Sequence, residues 1–137
     1  MATFDWRSWV FSTLSGHAPL LALVSADSIY GAGSLTKPPT KQPFIVIKME
    51  PEVPGPFEGV TRSRVALWAH DEPGDYLRLG TVLAACRVAL CGSGANVGQV
   101  AQPGAVAARW QGDSGDLADP DFGTILRTAT FDLLGKG

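Results

Sequence analysis

The chain has 137 residues, 45% of them hydrophobic, which suits one domain that buries its own core without disulfide or metal staples. Its 13 acidic and 11 basic residues leave a formal charge of −2, which excludes the overall basic excess of a general nucleic-acid binder. No apolar run approaches the roughly 20 residues that span a bilayer, and the first residues carry neither a basic region nor a cleavage motif, so synthesis in the cytosol without membrane attachment is expected.

The first predicted element is a helix over about 4–15 that stops at Gly16, with Trp6, Trp9, Val10 and Leu14 on one stripe. Phe4 and Phe11 lie nearly opposite, so either a neighbouring subunit covers this second face or loops close over a wide core stripe. A short helical piece, Pro19 to Val24, leads to Ser28-Ile29-Tyr30 and a Gly-rich turn at Gly31 to Ser34. Phe44 to Met49 is apolar on both faces except for Lys48 and reads as a well-buried strand, central in the sheet. Prolines 51, 54 and 56 remove ladder donors, so Glu50 to Gly59 reads as a long hairpin loop with Phe57 near its tip. Phe57 either anchors a partner or folds back on its own sheet.

From Arg62 to His70 the chain alternates, Val65, Leu67 and Ala69 on one face and Arg62, Arg64, Ala66, Trp68 and His70 on the other, as in a strand with one buried side. After a Pro-Gly turn, Leu79, Val82, Leu83, Cys86 and Leu90 recur at helical spacing, predicting a helix over about 75–91 whose stripe packs on that sheet. Cys86 and Cys91 diverge around this helix and are not expected to bond each other. They read as small buried hydrophobes, with a reactive thiol at the frayed end as the alternative. Ala105 to Gln111 and Thr124 to Leu133 close the sheet, the latter with Ile125, Ala129, Phe131 and Leu133 on one face beside Arg127. The expected architecture is α+β, an antiparallel, twisted sheet of about four or five strands with two main helices on one face and flexible loops over about 31–42, 50–60, 92–104 and 112–122.

Motifs that could carry chemistry are weak. Gly112-Asp113-Ser114-Gly115 copies the surroundings of a trypsin-like nucleophile, but such a serine needs an oriented base, and nothing places His17 or His70, the two histidines, beside it. Asp113, Asp116, Asp119 and Asp121 offer carboxylates for a hard cation but miss the calcium-loop spacing. They form a solvated acidic loop, an opportunistic metal binder or a functional acidic surface. Gly92 to Gly98 follows a helix instead of preceding one and lacks the Gly-Lys-Ser/Thr ending of a phosphate loop. Arg62, Arg64, Trp68 and His70 on one strand face arrange themselves like a small single-stranded nucleic-acid platform, although with a single large aromatic. No catalytic constellation emerges, and no cofactor or metal site is expected.

Leu20-Leu21-Ala22-Leu23-Val24 before Ser28-Ile29-Tyr30, then Pro43-Phe44-Ile45-Val46-Ile47, Trp68-Ala69-His70-Asp71 and Trp110-Gln111-Gly112-Asp113-Ser114, in this order across nearly the whole chain, resemble the tail terminator (tail completion) proteins of long-tailed bacteriophages. The resemblance implies a non-catalytic virion protein, assembled in the host cytoplasm, that forms a hexameric ring on the head-proximal end of the tail tube. Such a ring stops tube polymerisation and provides the head-joining surface. Its implied partners are further copies of itself, the tail tube protein and a head-completion or connector protein, with DNA passing through the lumen unbound. Within a ring, Phe4, Phe11, Arg64 and Trp68 are the candidate subunit contacts, Phe57 a candidate partner contact, and Asp113, Asp116, Asp119 and Asp121 a candidate lumen or rim loop, in which Arg127 could neutralise part of the charge. Another connector or minor tail role, or a small nucleic-acid-binding α+β module using Arg62, Arg64 and Trp68, are the alternatives.

Overall fold

The computed structural model describes residues 6–31, 39, 42–51, 53–55, 58–74, 76–91 and 105–136. In chain order these form α1 (Trp6–Ser15), α2 (Ala18–Leu21), a 3-10 turn (Ala26–Ser28), β1 (Ile29–Gly31), β2 (Phe44–Met49), β3 (Val53–Pro54), β4 (Val60–Asp71), α3 (Leu77–Cys91), β5 (Ala105–Asp113), β6 (Leu117–Asp119) and β7 (Thr124–Lys136). The sheet runs β1-β2-β4-β7-β5, with β3 added to β4 and β6 added to β7. The fold is α+β, as the alternation and the helical stripe imply.

The long β4 and β7 form the antiparallel spine, in register from Val60↔Lys136 to Asp71↔Ile125. Their period-2 pattern turns Val65, Leu67, Ala69, Ala129, Phe131 and Leu133 to one side, where all are fully buried. On that side α3 lays down Leu79, Val82, Leu83, Cys86 and Leu90, and α1 adds Trp9, Val10 and Leu14. Each large apolar side chain among them contributes about 1.5–3 kcal/mol by leaving water. The glycine at position 80 leaves room for the guanidinium of Arg127 from β7, since a Cβ there would lie 3.3 Å from its Nη1. Cys86 and Cys91 are free and buried, and burial pushes the Cys86 thiol up to about 12 and raises that of Cys91 as well. The helix end therefore presents no exposed thiol.

Several expectations need correction. Among the described residues the sheet has seven strands, and it is mixed, because β1 pairs parallel with β2. Parallel neighbours need a crossover connection, which no local pattern reveals. β2 is buried as expected but lies second from the β1 edge, and β4 takes the centre. Val53 and Pro54, expected in a loop, form the two-residue β3 on β4. Proline is tolerated there because a short added strand needs few donors. The segment 112–122, expected as a flexible loop, finishes β5, turns into β6 and turns again into β7. Gly123, at φ 65°, permits the second turn. The expected loops 31–42 and 92–104 fall mostly or wholly outside the described residues.

Candidate functional site

The helices cover one face of the sheet and leave the other to solvent over much of its width. On this outer face the pairings align Arg64 of β4, Asp132 of β7 and Arg109 of β5 across three strands. Asp132 accepts a hydrogen bond from Arg64 Nε at 3.1 Å, and this bond holds the Arg64 guanidinium above its usual value. Two residues along β4, Arg62 sits opposite Val53 of β3 and Leu134 of β7. With Pro54, Gln111 and Asp132, Arg62 and Arg109 line a shallow cleft of about 360 Å³. Among the described residues, neither Arg62 nor Arg109 has an ion-pair partner. Further along the face, the Lys48 ammonium lies 3.5 Å from the centre of the Trp68 ring, within cation–π range.

The face closes where the nucleic-acid platform would continue. His70, expected to be exposed beside Trp68, is only 2% exposed. Its ring stacks on Phe44 with centroids 4.6 Å apart, Phe122 from the β6–β7 turn covers it at 5.4 Å, and its Nδ1 lies 2.8 Å from Thr124 Oγ1. The platform therefore shrinks to Arg62, Arg64 and Trp68. Asp132 engages the second of these, and Lys48 covers the ring of the third.

The four aspartates do not form one equivalent loop. Asp113 accepts from the Trp110 indole N–H at 2.9 Å. Asp116 accepts from Arg127 Nε at 2.6 Å, so Arg127 does neutralise part of this charge within the chain. Asp119 accepts from the backbone N–H groups of Asp121 and Phe122 at 3.0 and 3.2 Å, building the turn before β7. Of these four, Asp121 alone keeps an exposed carboxylate without a partner among the described residues. Ser114 is likewise structural, because its Oγ accepts from Thr128 N–H at 2.9 Å and donates to Gly115 O, while its own N–H donates to Thr128 O. Neither histidine contacts it. No group of three or more metal-ligating side chains exists among the described residues, and no described helix is long and apolar enough to cross a membrane.

Of the remaining candidates, Phe11 is 42% exposed on α1, whereas Phe4 and Phe57 lie outside the described residues. Sequence reasoning missed the outer side of α3, where Leu77 is 76% exposed and Val88 is also open. Leu77 lies off the buried stripe, which was the available signal. It also missed Arg109 and Asp132, whose alternate positions in their strands put them on the Arg62 face only once the register is known.

No protein-family model and no curated protein matches the chain. Among solved structures, a chain of the virion of a native gene transfer agent (GTA) particle is similar to it with a TM-score of 0.71 and 17% identity, over 96% of this chain and 95% of that one. The likeness establishes a shared fold along essentially the full length.

Proposed function

We propose that this protein is a structural component of a phage-like virion, a tail-terminator subunit whose ring caps the head-proximal end of the tail tube, stops its growth and offers the surface that joins the head. The observation that carries the reading is the fold shared end to end with a chain of a gene transfer agent virion. The order of motifs along the sequence, which resembles tail terminator proteins, narrows it to that role. The absence of a base beside Ser114 and the structural use of Asp113, Asp116 and Asp119 fit assembly better than catalysis. Exposed Leu77, Val88 and Phe11 on the helical side and the charged outer sheet give the chain two unlike surfaces, which a closed ring requires because each copy meets the next through different patches.

A nucleic-acid-binding role is less well supported, since the Trp68 ring is covered by Lys48 and Asp132 and Glu50 interrupt the basic face. The deciding experiment is native mass spectrometry across a concentration series, alone and with purified tail tube subunits. A hexamer, together with tubes that stop elongating when the protein is added, supports the reading. A chain that stays monomeric and leaves tube growth unaltered overturns it.

A further inference from the structure

Among the described residues, two patches that carry charges without an ion-pair partner, Asp121 and the pair Arg62 and Arg109, lie towards opposite ends of β7. At one end, β6 pairs with β7 through Leu117↔Leu126 and Asp119↔Thr124, and the turn between them carries Asp121. At the other, Arg109 lies opposite Asp132 and Arg62 opposite Leu134. From Thr124 to Asp132 the strand advances about 27 Å at roughly 3.4 Å per residue. The acidic corner and the basic cleft are therefore separate patches, and neither blocks the other.

Both ends are left incomplete within one copy. Asp132, the one acid lining the cleft, is already bonded to Arg64, so the Arg62 and Arg109 guanidiniums flank a 360 Å³ space without a carboxylate of their own. At the corner, Arg127 takes Asp116, the Trp110 indole takes Asp113 and the turn takes Asp119, which leaves Asp121 unpaired among the described residues. Guanidinium forks prefer planar carboxylates, which they can hold through two parallel bonds.

We infer that the cleft between Arg62 and Arg109 receives the Asp121 corner of a second copy of this chain. Copies then associate head to tail along the sheet. This inference rests on the ring reading and specifies one contact within it. A second copy fits better than a nucleic acid because the cleft is short. A strand of phosphates needs a continuous basic groove with open aromatic faces, whereas here Pro54, Asp132 and the Lys48-covered Trp68 break the track. The contact is heterologous, so it closes into a ring when the angle between copies divides a full turn.

The test is a charge swap read by sedimentation equilibrium at low salt. Arg62, Arg109 and Asp121 are all exposed, so Arg62→Glu with Arg109→Glu, and separately Asp121→Lys, should leave the circular dichroism spectrum and melting unchanged. Each is expected to weaken self-association at least tenfold. The triple variant, which combines all three substitutions and so restores opposite charges across the contact with their signs exchanged, is expected to recover much of it. If the wild type assembles and the double arginine variant assembles equally well, this contact is overturned while the ring reading stands. If the wild type does not assemble even with tube subunits, both fail. Duplex or single-stranded DNA bound tightly by the wild type and lost in the double variant would overturn the inference in favour of a nucleic-acid site.

Discussion

His70 is held neutral by its surroundings. Burial between Phe44 and Phe122 lowers its pKa from 6.5 to about 4, with Lys48 acting in the same direction and Asp119 opposing. Protonation is therefore disfavoured in the folded chain, while the unfolded chain takes up the proton near pH 6.5. The stability this group confers is complete above pH 6.5, declines as the pH falls from there towards 4 and is gone below that. The interval bounds the loss at about 3 kcal/mol. Urea midpoints should fall between pH 7 and 5, and His70→Gln should flatten the slope whatever its cost in absolute stability. A variant that keeps the wild-type slope would assign the effect to other groups. The position was readable as a strand residue from its alternation with Trp68, but not as a buried one. Its cover, Phe122, arrives from a turn 52 residues downstream.

The junction between β4 and α3 depends on a second feature that periodicity does not reveal. Asp71 is buried at the end of the strand and accepts from Arg78 Nε at 2.7 Å, from Arg78 Nη2 and from the Glu72 N–H. This fork joins the last residue of β4 to the first turn of α3. Arg78→Ala would leave the Asp71 carboxylate with one backbone donor. Because the guanidinium is partly exposed, the expected loss is about 1–2 kcal/mol. Chemical denaturation of Arg78→Ala against Arg78→Lys measures it, and equal stability of wild type and Arg78→Ala would remove the fork from the account. The stripe from Leu79 to Leu90 and the inner face of β4 were legible because helix and strand periods dominate there. The three-residue β6 was not, because it is too short to show alternation and its aspartates look like those of a solvated loop. Two-residue β3 escaped for the same reason, and three-residue β1 also because it pairs parallel with β2, sixteen residues further along the chain.

Over the whole molecule, two exposed surfaces are candidates for the principal contact between copies in the proposed ring, and they would respond differently to salt. The sheet ends oppose Arg62 and Arg109 to Asp121, charges that face water in one copy and are screened over about 10 Å at 0.1 M salt. The helical side offers Leu77, Val88 and Phe11, whose burial is strengthened by excluded salts such as sulfate. The monomer's fold rests mainly on the apolar cluster of α1, α3 and the inner sheet, so its own stability should change little with sodium chloride. Self-association measured from 0.05 to 0.5 M sodium chloride separates the two surfaces, on the order of a Debye-length change from about 14 to about 4 Å. If charge at the sheet ends dominates, association weakens steadily with sodium chloride and the thermal midpoint of the dissociated chain stays nearly constant. If the helical side dominates, sodium chloride has little effect and sulfate strengthens assembly. In that case Leu77→Asp, rather than the arginine pair, becomes the substitution expected to dissolve the proposed ring.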